Sequence, residues 1–270
     1  MFGINMKNEL QKLYLHRLNN LRIMVCLLNF APFIRCIILN GSVASGRIKT
    51  SSDIDLLIIA KSRRIFTCRA AVLFWAYISG LKRSSVRKKG HVGRFCFNYF
   101  LTDNFLTIPH DRGEKVDKYC AENYSKSILV WGDRKLFNKY MRINLVWMKK
   151  FLSSFRHPVL ACPERGRRDT GSPPTGEAGT NSSGSISRFP TKSGMTASAS
   201  IIEKILSGRF GDWVERVVKN IQVRKINKDP KVKNYPQLIV VNDRELRFHP
   251  PQPHKKFTSA SARARRAGQN

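Results

Sequence analysis

One stretch, IILNGSVASGRIKTSSDIDLLIIA at residues 37–60, constrains what this chain can fold into. Two short apolar runs, at 37–39 and 56–59, flank a polar segment that begins with Gly41-Ser42. Short runs of isoleucine and leucine bounded by turn residues are typical of buried strands. The stretch therefore predicts a strand, a tight turn, a polar loop and a second strand.

Two aspartates stand at the entry to the second of these strands. Side chains alternate along a strand, so Asp53 and Asp55 are expected on one face and Ile54 in the core. Two neighbouring carboxylates repel each other, and burying them is unfavourable unless a cation lies between them. Oxygen ligands at this spacing suit Mg²⁺ or Mn²⁺. Asp53 and Asp55 are therefore the candidate metal ligands and catalytic residues.

The turn before the loop supplies the second half of the predicted site. Gly41 lets the backbone approach a ligand closely, and Ser42 adds a hydroxyl group. Backbone N–H groups in such a turn can bind an anion. A phosphate-binding turn next to a two-carboxylate metal site is the combination that phosphorus-group transfer needs.

Gly41-Ser42, ten intervening residues and Asp53-Ile54-Asp55 together resemble the signature of the DNA-polymerase-β-like nucleotidyltransferases, most closely their small, minimal branch. The resemblance implies transfer of a nucleoside monophosphate from a nucleoside triphosphate (NTP) to an acceptor hydroxyl, assisted by Mg²⁺ or Mn²⁺. Gly41 and Ser42 would hold the β- and γ-phosphates, with Lys49 as an additional cation. The alternative interpretation is a surface turn followed by a charged strand entry.

The resemblance also implies a third carboxylate on a later strand, which completes metal binding and deprotonates the acceptor. The strand predicted over 94–101 carries Asn98 at the matching position. An amide oxygen can bind a metal but cannot accept a proton. The third acid is therefore replaced by Asn98, absent, or supplied elsewhere. Asp103 is the nearest carboxylate, but it is expected in the turn after the strand, at the opposite strand parity. The carboxylates that could supply the acid from elsewhere are Asp111, Glu114 and Asp117.

A missing third acid leaves a second hypothesis open, in which the domain is catalytically degenerate. Such a domain would bind nucleotide or nucleic acid without turnover, or act as an antitoxin-like module for a small helical protein partner. A helical partner would require an exposed apolar face on residues 114–152 or 199–226.

The chain is strongly basic, with 49 Lys and Arg against 18 Asp and Glu, a net charge of +31. This excess favours a polyanionic partner such as RNA, although solvated basic tails would give the same number. The six cysteines form no Cys-x-x-Cys pair, which indicates a reduced, cytoplasmic protein. The N-terminus lacks the order of a signal peptide, and no apolar run predicts a membrane span, so we expect no membrane partner.

The fold class predicted is α/β, a small mixed sheet with flanking helices and a helical C-terminal part. Its strands are expected at 35–40, 53–59 and 94–101, and its flanking helices at 8–29 and 66–81. Residues 105–108 are expected to form a hairpin with the third strand, Asp133 to cap a helix, and 199–226 to form one helix. A last hairpin is expected from strands at 238–241 and 245–248.

Five segments are predicted along the chain. These are a nucleotidyltransferase domain (1–112), a helical extension (113–154), a disordered insertion (155–198), a C-terminal helix and hairpin (199–252) and a disordered basic tail (253–270). The insertion is rich in Gly, Ser, Thr and Pro, and part of it resembles the translated product of a small repetitive DNA element.

Overall fold

The computed structural model describes residues 2–47, 49, 52–81, 94–110, 113–152, 196–229, 232 and 239–248. Its centre is a six-stranded mixed sheet with the order β4-β1-β2-β3-β6-β5. The strands are β1 (Ile34–Asn40), β2 (Ile54–Ala60), β3 (Phe95–Thr102), β4 (Ile128–Gly132), β5 (Val240–Val241) and β6 (Glu245–Arg247). The pair β2–β3 is parallel, and the other neighbouring pairs are antiparallel.

Helices cover both faces of this sheet. They are α1 (Phe2–Leu28), α2 (Gly41–Ala44), α3 (Ile65–Ile78), α4 (Glu114–Tyr124), α5 (Arg134–Met148), α6 (Ala197–Ile205) and α7 (Arg209–Asn227), with a 3₁₀ turn at Lys149–Phe151. The mixed α/β sheet with flanking helices is confirmed. The specifically polymerase-β-like arrangement stays a prediction.

The alternation of side chains along β2 divides the core into two halves. Ile54, Leu56 and Ile58 pack with residues of α1 and α3 on one face of the sheet. Leu57 and Ile59 pack with residues of α4 and α5 on the other. A strand buried on both faces reads as a continuous apolar run, as LeuLeuIleIle does here.

The hairpin expected from residues 105–108 is wrong. Phe105 forms only an isolated bridge with Thr102, and the neighbour of β3 in the sheet is β6. The reason is that the backbone of this segment, at Leu106 and Ile108, forms hydrogen bonds with the Asn144 side chain on α5. Asn144 accepts a hydrogen bond from the Ile108 amide at 2.7 Å and donates one to the Leu106 carbonyl at 2.7 Å. These bonds hold the segment against α5 instead of against β3.

The prediction of a single helix over 199–226 is also wrong, because the helix is interrupted between α6 and α7. Gly208 is extended at the start of α7, and Gly211 packs directly on the preceding turn. A Cβ atom on Gly211 would lie 1.8 Å from the carbonyl oxygen of Leu206. The glycines therefore permit a tight bend between two helices where the apolar periodicity alone predicts one.

Acidic side chains on α6 and α7 attach these helices to the first half of the chain. Glu203 forms a two-pronged ion pair with Arg35, at 3.1 and 3.2 Å. Asp212 accepts a hydrogen bond from Arg64 at 2.7 Å. Glu215 caps the start of α3, where its carboxylate accepts hydrogen bonds from two backbone amides. Together with the β3–β6 pairing, these contacts join the C-terminal part to the sheet.

The predicted helix cap at Asp133 and the predicted last hairpin are both confirmed. Asp133 caps α5, because its Oδ1 accepts from the Lys135 and Leu136 amides at 2.7 and 3.3 Å. The last hairpin is confirmed as β5 and β6. The insertion up to residue 195 and the basic tail lie outside the described residues. Within the described ranges, no helix combines the length and apolar character needed to cross a membrane.

The Glu215 contact generates a stability prediction. We expect Glu215→Gln to lower the free energy of unfolding by about 1–2 kcal/mol, because a charged acceptor at a helix N-terminus is lost. Urea unfolding monitored by circular dichroism measures this loss. Glu9→Gln, at an exposed carboxylate that pairs with Lys12, is the matched control and should change little. Equal effects of the two substitutions would contradict the capping role.

Candidate functional site

The pairing of β1 with β2 brings the two halves of the predicted site together. Asn40, the last residue of β1, is paired with Asp55 near the start of β2. Gly41 follows with a φ of +72°, and a Cβ atom built on it would lie 2.5 Å from Oδ2 of Asp55. A side chain at this position would displace the carboxylate. The positive φ and the close approach to the carboxylate both favour glycine at position 41.

The residues after Gly41 form the single helical turn α2, where the sequence predicts a polar loop. The Ser45 amide donates to the Gly41 carbonyl at 3.1 Å, and the Ser45 hydroxyl donates to the Ser42 carbonyl at 3.2 Å. These bonds fix the direction of the turn. The half-buried Ser42 side chain lines a cavity beside it.

This cavity has a volume of about 190 Å³ and lies between α2 and α4. It is lined by Ser42, Ser45, Arg47, Tyr119, Glu122 and Asn123. Sequence reasoning identified only Ser42 among these residues. Arg47 follows the glycine-serine motif closely and could have been proposed from that proximity. The three α4 residues could not, because their place beside α2 is set by how α4 packs on the sheet.

The two aspartates have different electrostatic partners. Arg17 on α1 is fully buried. Burial lowers the pKa of Arg17, and the negative charge of Asp53 opposes this effect. The pKa of Tyr119 is raised by burial and then by the charge of Asp55. The charge of Asp53 therefore interacts with the guanidinium of Arg17. The charge of Asp55 interacts with the phenol of Tyr119, which lines the cavity.

The other predicted site residues lie around this edge of the sheet. Lys49 is exposed in the loop between α2 and β2, where its amide donates to the Ser52 hydroxyl at 3.0 Å, and it does not line the cavity. Asn98 lies on β3, next to β2, where the pairing shifts by one residue between the Asp55–Cys96 and Leu57–Tyr99 pairs. Its side-chain amide donates to the Cys96 sulfur.

Asp103 is excluded as the third carboxylate, which corrects one of the expectations. It follows Thr102, which pairs with Ala60 at the far end of β2. Five residues of strand separate Ala60 from Asp55, roughly 17 Å at the usual rise. Asp103 instead accepts hydrogen bonds from the Ser62 amide and hydroxyl at 2.9 and 2.7 Å. Its role is to hold the turn after β2.

Of the remaining third-acid candidates, the two in the described residues, Glu114 and Asp117, do not complete a metal centre. Glu114 is exposed and Asp117 is buried, both in the first turn of α4, and Asp111 lies outside the described residues. In the parts of the chain that the structure describes, no three His, Cys, Asp or Glu side chains are grouped so that they could hold a metal ion. The site therefore offers two carboxylates, with Asn98 on the adjacent strand.

This donor set fits one mode of Mg²⁺ binding. Magnesium is commonly bound through one or two carboxylates together with water and the phosphate oxygens of a substrate. Asp53 and Asp55 supply the carboxylates, and the turn against Asp55 opens into a cavity at Ser42. The residues fit a metal that arrives with a phosphate ligand better than a metal held by protein side chains alone.

Comparison with family models, curated proteins and solved structures finds no match for this chain. The resemblance to polymerase-β-like nucleotidyltransferases therefore rests on the residues and their placement.

The different partners of the aspartates predict different effects on stability. Asp53→Asn should lower the free energy of unfolding by about 1–3 kcal/mol, because buried Arg17 loses a compensating charge. Asp55→Asn should lower it by less, because the carboxylate whose charge acts on buried Arg17 is that of Asp53. Urea unfolding in the presence of EDTA tests both. Equal losses in the two variants would contradict the assignment of Arg17 to Asp53.

Proposed function

We propose that this chain is a nucleotidyltransferase, which moves a nucleoside monophosphate from an NTP to an acceptor hydroxyl with Mg²⁺ or Mn²⁺. The observation that supports this most is the close approach of Gly41 to the Asp55 carboxylate, one residue before Ser42, which lines a cavity. A phosphate-binding turn and a metal-binding carboxylate are then side by side, which is what phosphoryl transfer chemistry requires.

Each residue of the site has a role in this proposal. Asp53 and Asp55 would hold the metal, with Asn98 near them on the next strand. When bound, the metal supplies positive charge that stabilises the phosphate oxygens in the transition state. Ser42 and Arg47 would bind phosphate oxygens from the α2 side of the cavity, and Lys49 stays a predicted additional cation.

The reaction has a simple balance of bonds. The acceptor oxygen forms a bond to the α-phosphorus, the bond from that phosphorus to the α–β bridging oxygen breaks, and pyrophosphate leaves. The acceptor proton passes to water, because the described residues place no third carboxylate beside Asp53 and Asp55. The net charge of +31 favours RNA or a protein hydroxyl as the acceptor, and a small-molecule acceptor is the third class.

Two observations favour a second candidate, a degenerate domain that binds nucleotide or a helical protein partner. The first is the distance of Asp103 from the site. The second is a set of exposed apolar side chains on α6 and α7, the predicted condition for a helical partner. These are Ile201, Ile202, Ile205, Phe210, Trp213 and Ile221.

Transfer of α-³²P-labelled nucleotide separates the two candidates. The full chain, incubated with Mg²⁺, labelled NTPs and total RNA, should transfer label and release pyrophosphate. Asp55→Asn should reduce transfer at least 100-fold, because a metal ligand is lost without loss of the fold. Asp55→Asn is preferred to Asp53→Asn, because the latter also removes the charge beside Arg17.

The matched control is Asp243→Asn, at an exposed aspartate in the turn between β5 and β6 that pairs with Lys219. It should leave transfer unchanged. Triphosphate binding that Asp55→Asn weakens, without any label transfer, would favour the degenerate binding module. If the chain neither binds nor transfers nucleotide, the nucleotide-dependent proposal is overturned. The module for a helical protein partner then remains.

A further inference from the structure

We propose that the cavity between α2 and α4 binds the base of the donor nucleotide, and that Glu122 selects guanine. This inference rests on the proposed function and adds the identity of the substrate to it.

The two walls of the cavity differ in charge and chemistry. The α2 wall carries two hydroxyl groups, on Ser42 and Ser45, and the cationic Arg47. The α4 wall carries the ring of Tyr119, the carboxylate of Glu122 and the amide of Asn123. A triphosphate is attracted to the first wall and repelled by the carboxylate of the second. The α4 wall is therefore suited to a neutral part of the nucleotide.

The cavity is large enough to admit a base. It offers about 190 Å³ to a ligand and is partly open to solvent. A planar two-ring base fits in such a space, and the sugar and phosphates would then extend toward Ser42 and Asp55. The aromatic ring of Tyr119, on the same wall, offers a surface on which a base can stack.

Hydrogen-bonding capacity on the α4 wall distinguishes among the bases. The Asn123 side chain is already engaged, because its nitrogen donates to the Tyr119 carbonyl at 2.8 Å and the side chain also hydrogen-bonds the Tyr119 side chain. The Glu122 carboxylate can only accept hydrogen bonds. The wall therefore offers a base the two carboxylate oxygens of Glu122 as acceptors.

Guanine is the base whose edge matches this set. Its ring N1–H and its 2-amino group are adjacent donors that the two oxygens of one carboxylate can accept together. Adenine presents an unprotonated N1 at the same place, and uracil presents one N–H between two carbonyl oxygens. Each would set an acceptor against the carboxylate, and unpaired polar groups of this kind give strong discrimination.

Equilibrium binding of GTP, ATP and inosine triphosphate to the full chain with Mg²⁺, measured by calorimetry, tests the inference. GTP should bind about tenfold or more tightly than ATP, as expected for charge-assisted hydrogen bonds. Inosine triphosphate, which lacks the 2-amino group, should fall between them, and this comparison needs no variant. Glu122→Gln should weaken GTP binding about tenfold and leave ATP binding unchanged.

The matched control is Glu9→Gln on α1, an exposed carboxylate paired with Lys12, which should preserve the preference for GTP. Equal affinity for GTP and ATP, or a GTP preference that survives Glu122→Gln, would overturn this inference and leave the proposed function standing. Failure of all three triphosphates to bind would overturn both.

Discussion

The antiparallel pairing of β1 with β2 is the constraint on which the candidate site depends. It places the end of one strand beside the start of the next, so Gly41 lies against the Asp55 carboxylate. The approach is too close for any side chain at Gly41. The pairing itself is secured by cores on both faces of the sheet, where β1 and β2 are almost entirely buried. The site therefore has a rigid support.

On the C-terminal helices α6 and α7, acidic side chains contact the rest of the protein and most basic side chains are exposed to solvent. Glu203, Asp212 and Glu215 face the first half of the protein and bind Arg35, Arg64 and the start of α3. The exposed charges nearby are mainly basic, as at Lys204, Arg209, Arg216 and Arg224. Part of the chain's positive charge thus lies on ordered helices. This supports a polyanionic acceptor for the proposed reaction more than solvated tails alone would.

The sequence predicted the strands that carry the site, because apolar runs and a glycine-serine turn are local signals. It predicted neither the α4 wall of the cavity nor the pairing of β3 with β6, which joins residues more than 140 positions apart. Asp103 is the nearest carboxylate in the sequence, and its turn position and strand parity already count against it. The parallel direction of β2 and β3 places it at the opposite end of the sheet. Arg17 was missed because an arginine on an amphipathic helix ordinarily lies at the surface.

Binding of Mn²⁺ observed by electron paramagnetic resonance, with and without a non-hydrolysable NTP analogue, tests the central claim most directly. The account predicts weak binding of Mn²⁺ alone, because two carboxylates are a sparse ligand set, and at least tenfold tighter binding when the triphosphate is present. Asp55→Asn should abolish this increase. Mn²⁺ affinity that does not depend on the nucleotide, or an increase that Asp55→Asn leaves intact, would contradict the claim that turn and carboxylate form one site.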